Sequence, residues 1–122
     1  MMTLNKAILN ECKAKLQDTK ARLLNQLREQ RAVLATREVV GDEGDMGLHA
    51  LEENQLHIRN QRVREQLLEI EYALSRIERG LYGICEETQE PIETDRLLAL
   101  PWTRLSIEGA EIRDAQNKRH SS

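Results

Sequence analysis

The sequence predicts a mainly α protein: a long antiparallel two-helix coiled-coil hairpin that carries a small knuckle and a C-terminal helix. Three observations lead there. Charged residues make up 32 % of the 122-residue chain and aromatics only 2 %, with no Phe. That mix is poor material for a dense globular core and good material for solvated helices with an apolar stripe. Two long stretches, Asn5 to Arg37 and Leu48 to Arg79, contain neither Pro nor Gly. Between them "VVGDEGDMG" places three glycines and two aspartates in nine residues, a strong helix breaker.

In the first arm Leu4, Ile8, Cys12, Leu16, Leu23, Leu27 and Leu34 recur at mostly four- and seven-residue steps, which sets them along one helical face. The remainder is Lys, Arg, Glu, Gln and Ala, all good helix formers. In the second arm Leu56, Val63, Ile70 and Ile77 are seven apart, and Leu67, Leu74 and Leu81 form a row offset by four. This 4-3 alternation is a coiled-coil seam. Gly80 is placed to stop the helix. At 1.5 Å per residue each arm should reach roughly 50 Å, and the short turn sends the second arm back along the first. The expected division is a hairpin over 1–80, with its tip at about 38–47, and a compact segment over 81–122.

That segment opens with "LYGICEETQEPIETDRLLALPWTR", which holds both prolines, the single Trp and a Tyr. A last helix is expected from about Leu105 to Lys118, with Gly109 as a weak spot and the final "NKRHSS" frayed.

A net charge of −3 gives no basic face for reading nucleic acid. With no apolar leader at the N-terminus and no run of 18 apolar residues, a cytoplasmic, reducing setting without a membrane is expected. Cys12 and Cys85 match no disulfide framework, and Cys12, on the apolar stripe, reads as core. Cys85 stands beside Glu86 and Glu87, whose charge should disfavour the thiolate and leave the thiol inert. His49, Glu53 and His57 lie four apart on one helical face, a spacing that on a charge-rich helix reads as solvated. No nucleophilic or acid–base constellation appears, so no enzyme is expected.

"RIERGLYGIC" followed by "EPIETDRLLALPWTRL" resembles the DksA/TraR zinc-finger family of bacterial transcription regulators. Arg76, Ile77, Gly80, Tyr82, Gly83 and Cys85 stand in the family's order, and Arg96, Leu97, Ala99 and Pro101 follow in place. The resemblance covers about residues 40 to 119. It sets the family's four zinc-ligand positions on Cys85, Thr88, Ser106 and Gly109, with 17 residues between the halves. Structural zinc takes four thiolate, imidazole or carboxylate donors, and only Cys85 retains one. A metal-free finger without cofactor is therefore expected. Zinc supplies about 10–16 kcal/mol in small fingers, so apolar residues should offset it, with Leu81, Tyr82, Ile84, Ile92, Leu97, Leu98, Leu100, Trp102 and Leu105 as candidates.

The resemblance also places the family's tip motif on residues 42–47, with Asp42 and Asp45 kept and Gly47 in place of Ala. An Asp/Gly turn is also ordinary loop chemistry, Asp capping a helix and Gly taking positive φ. The implied function is a regulator that binds bacterial RNA polymerase, its acidic tip entering the secondary channel to alter promoter-complex stability. The implied partner is the polymerase alone, with no sequence-specific DNA contact and a monomeric chain. At the positions matching the family's ppGpp contacts stand Glu69, Leu100 and Ala110, none cationic, with Arg62 retained, so the ppGpp response should be weakened or absent. The alternative is a coiled-coil interaction module with another protein partner and an idle tip.

Overall fold

The computed structural model describes the backbone of residues 4–40 and 46–120, and their side chains except those of 34–40, 46 and 49. Four helices are described: α1 (Lys6–Val40), α2 (Met46–Glu78), α3 (Thr94–Ala99) and α4 (Ile107–His120). Asn5 caps α1, its Oδ1 accepting the Ala7 N–H at 2.8 Å, which satisfies one of the donors a helix start leaves open. At the end of α2, Gly80 turns to φ +73°. Its N–H bonds the Ile77 carbonyl at 3.2 Å, and the Leu81 N–H reaches back to Arg76 at 2.9 Å. This paired closure needs the left-handed conformation that glycine takes without strain.

Contacts group the chain into two compact units: unit 1, Met1–Asp18 with Glu69–Ser122, and unit 2, Thr19–Leu68. Each unit thus contains a stretch of both long helices, running antiparallel. In unit 1, Cys12 and Leu16 of α1 and Ile70 and Ala73 of α2 are buried, together with Tyr82, Cys85, Ile92 and Leu97 of the knuckle. The start of α1 is tied to α3 by Cys12 Sγ donating to the Leu97 carbonyl at 3.7 Å and Lys15 Nζ donating to the Leu98 carbonyl at 3.0 Å. The knuckle closes through a β-bridge between Ile84 and Pro91, with the Cys85 N–H on the Glu90 carbonyl and the Ile92 N–H on the Gly83 carbonyl, both 2.8 Å. Tyr82, whose phenol burial pushes up in pKa, donates to the Pro101 carbonyl at 2.8 Å. In unit 2 the buried apolar side chains among the described residues are Leu23 and Val63.

Both long arms and the Gly80 stop lie where the sequence puts them. Three details differ. The six-residue α3 was not expected, being too short for a period to show. Residues 117–120 are helical rather than frayed, since Lys118, Arg119 and His120 occupy the last turn of α4, where cations favour the negative end of the helix dipole. Of the apolar residues expected to offset zinc, Tyr82, Ile92 and Leu97 are buried, but Leu81 and Leu100 are 48 % and 36 % exposed. Among the described residues no helix is long and apolar enough to cross a membrane.

Candidate functional site

The four positions of the finger frame come together. Cys85 follows the Gly83 turn, and Thr88 sits three residues on, its N–H facing Cys85 Sγ at 3.5 Å. Ser106 caps α4: its hydroxyl accepts the Gly109 N–H at 3.0 Å and its carbonyl accepts the Ala110 N–H at 2.9 Å. Gly109 is pressed so closely on Cys85 Sγ that a Cβ there would collide with the sulfur, and it would stand 3.3 Å from Ser106 Oγ. The weak spot read from the sequence is thus a place where only glycine leaves the sulfur room. Gln89 turns the chain back after Thr88 with φ 61°. That left-handed conformation is uncommon outside glycine, and here Gln89 N–H bonds the Cys85 carbonyl at 2.9 Å while its Nε2 bonds the Glu86 carbonyl at 2.9 Å.

This donor set does not fit zinc. Cys85 offers a thiolate, whereas Thr88, Ser106 and Gly109 offer no donor that a structural site uses. Among the described residues no group of three His, Cys, Asp or Glu is placed to hold a metal ion. Glu53 and His57 are exposed, and the side chain of His49 lies outside those described.

The thiol itself differs from expectation. Burial pushes the Cys85 pKa up, but hydrogen bonds from Ser106 and Thr88, side chain and backbone, outweigh it and bring the thiol down to about 6. Glu86 and Glu87, expected to oppose the thiolate, have their charge taken up in ion pairs with arginines. Cys85 is nevertheless 0 % exposed, which closes it to reagents in the folded chain.

The Glu86 carboxylate gathers a network that sequence reasoning missed. Its Oε1 accepts the Tyr72 hydroxyl at 2.6 Å and Arg76 Nη1 at 2.8 Å. Its Oε2 faces Arg113 Nη2 at 3.5 Å and Arg104 Nη1 at 3.9 Å. Arg104 also pairs with Glu69 at 2.8 Å, and Arg113 with Glu87 at 3.2 Å. The Tyr72 ring lies within 4.8 Å of the Arg104 guanidinium and 5.9 Å of that of Arg76, a cation–π distance. Arg76 further donates to the Leu81 and Ile84 carbonyls. Burial works against the Glu86 charge, but the Tyr72 hydrogen bond and the three guanidinium groups prevail and lower its pKa. One side chain thereby joins α2, the knuckle and α4.

Of the tip residues, Asp42 and Asp45 lie outside the described residues. Gly47 is the second residue of α2, with open space where a Cβ would stand. Beyond it, Leu48, Leu51 and Ile58 are 58 %, 63 % and 47 % exposed, and their three- and seven-residue spacing puts them on one face of α2.

Comparison with known proteins touches both the finger and the hairpin. The prokaryotic dksA/traR C4-type zinc-finger family model matches residues 80–114. An uncharacterized protein of Aquifex aeolicus is 37 % identical over 115 residues, 88 % of this chain and 77 % of that one. The RNA polymerase-binding transcription factor DksA of Caulobacter vibrioides is 42 % identical over 59 residues, 48 % of this chain and 42 % of that protein, so this match spans less than half of either. Among solved structures, the transcription factor DksA2 from Pseudomonas aeruginosa is similar with a TM-score of 0.84 and 30 % identity, over 95 % of this chain and 89 % of that one.

Proposed function

The chain belongs to the DksA/TraR zinc-finger family, and on that premise we propose that it is a transcription regulator that binds bacterial RNA polymerase. In this reading it acts in the cytoplasm as a monomer, without catalysis and without bound zinc. The hairpin enters the secondary channel and presents Asp42 and Asp45, with Gly47 behind them, to alter the stability of promoter complexes. The observation that carries the reading is the likeness of fold, over nearly the whole chain, to a protein named as a transcription factor. The exposed Leu48, Leu51 and Ile58 beside the tip add a face that a protein partner could cover.

Freedom from zinc is supported by the donor set around Cys85. A weakened ppGpp response is supported by Glu69, which carries a negative charge and occupies Arg104 in an ion pair, while Leu100 and Ala110 offer no charge for a phosphate.

The test is a competition binding assay with bacterial RNA polymerase, paired with promoter run-off, on wild type and on Asp42→Asn with Asp45→Asn. Wild type should bind and shift open-complex lifetime, and the double variant should bind while losing most of that shift. Equal activity of the two proteins would assign the function to the helical faces and leave the tip idle, as the alternative interaction-module reading has it. No binding at micromolar concentration would end the polymerase reading.

A further inference from the structure

The helical seam changes character within unit 2. On α1 the row Leu16, Leu23, Gln30 advances by seven residues, and on α2 the row Leu74, Leu67, Asn60 recedes by seven. Each row begins in leucine and ends in an amide. Burial falls along the first: Leu16 is 0 % and Leu23 7 % exposed, while Gln30 is only half-buried. Even so, Gln30 Oε1 and Asn60 Oδ1 are themselves shut off from solvent, and neither accepts a hydrogen bond from the protein. A buried acceptor without a donor opposes the packing that hides it.

The geometry around Gln30 agrees. A cleft of about 340 Å³ opens between Glu29, Gln30 and Val33 of α1 and Glu52, Leu56 and Arg59 of α2. Other leucines of unit 2 are exposed as well: Leu24 is 38 %, Leu51 63 % and Leu68 70 % exposed.

We infer that Gln30 and Asn60 make the outer seam of the hairpin a weak zipper, where the two arms of unit 2 part locally and admit water while unit 1 stays folded. Opening gives both amide carbonyls the donors they lack. Few fully buried apolar side chains resist it, because among the described residues of unit 2 only Leu23 and Val63 are buried, while Leu27, Leu56 and Leu67 are half-buried. Segments with few buried contacts open at low free energy, below that of global unfolding. The inference holds whatever partner the tip meets.

Native-state hydrogen exchange on the full chain, followed by mass spectrometry, tests it. Amides of residues 20–33 and 52–66 should exchange at least roughly tenfold faster than those of 8–16 and 70–77. Gln30→Leu with Asn60→Leu should slow the first group by roughly tenfold and leave the second unchanged. Uniform protection in the wild type, which requires no variant to fold, would overturn the inference. So would exchange that is unchanged or faster in the leucine variant. Slowing that appears only at raised protein concentration would also overturn it, assigning the amides to keeping copies apart.

Discussion

The two compact units draw on the same pair of helices and are held by different means. In unit 1 the stripe of α1 and α2 is covered by the knuckle, so that Cys12, Leu16, Ile70, Cys85 and Leu97 reach full or nearly full burial. Among the described residues of unit 2 two helices face each other, and the apolar side chains that become buried are Leu23 and Val63. A helix pair can hide a stripe but not enclose it, and a third layer is what turns a stripe into a core. The finger frame therefore has a use independent of metal: it roofs the base of the hairpin.

The largest effect that sharpens this contrast is expected at Leu16. Leu16→Ala should cost about 2–5 kcal/mol in urea unfolding, the range for a fully buried leucine that leaves a cavity. Leu27→Ala, at a half-buried seam position of unit 2, should cost less than half as much. Equal losses would erase the difference between the units.

Next in size is Gly109→Ala, for which overpacking against Cys85 Sγ should cost about 1–3 kcal/mol. Adding Cys85→Ala removes the sulfur from the path, so the double variant should be destabilised by less than the sum of the two single changes. Strict additivity in that cycle would show that the two residues do not share space.

The smallest is Glu86→Gln, with an expected loss of about 1–2 kcal/mol at neutral pH, more than an exposed pair provides because Arg76 and Glu86 are largely shielded. Its sign with pH is fixed. The folded-state pKa of Glu86 lies below its ordinary value, so its contribution is complete above the ordinary carboxylate range, about 4.3. It fades as pH falls through the lower folded value. Urea midpoints of wild type and variant should therefore differ near pH 7 and converge in acid. A gap that persists in acid would mean that shape, not charge, ties Glu86 to its partners.

The legible parts of the molecule were those whose signals are local. Gly- and Pro-free runs announce both arms, Gly80 ends α2, and the family resemblance, not spacing alone, sets Cys85, Thr88, Ser106 and Gly109 at one place, where the structure brings them together. The Glu86 network escaped because Arg76, Arg104 and Arg113 are distant in sequence and acquire meaning only when the knuckle folds against α2 and α4. The same folding pairs Glu86 and Glu87 with arginines, so their charge no longer stands uncompensated beside the thiol. Leu81 and Leu100 look like core by composition, but each sits at a helix end, just past Gly80 or at the C-cap of α3, where the chain turns outward. Helix periodicity predicts Leu23 and Val63 in the seam, and it carries the rows of Leu23 and Leu67 on to Gln30 and Asn60, but it offers no hint that the two amide oxygens would be buried there without donors.

That packing and the Glu86 network hold the finger together in place of zinc is tested most directly by native mass spectrometry of the chain produced with zinc in the medium. It is combined with thermal unfolding in the presence and absence of a strong chelator. The expected result is a mass without metal and the same Tm in both conditions. One zinc per chain, with a Tm that falls in chelator, would contradict it.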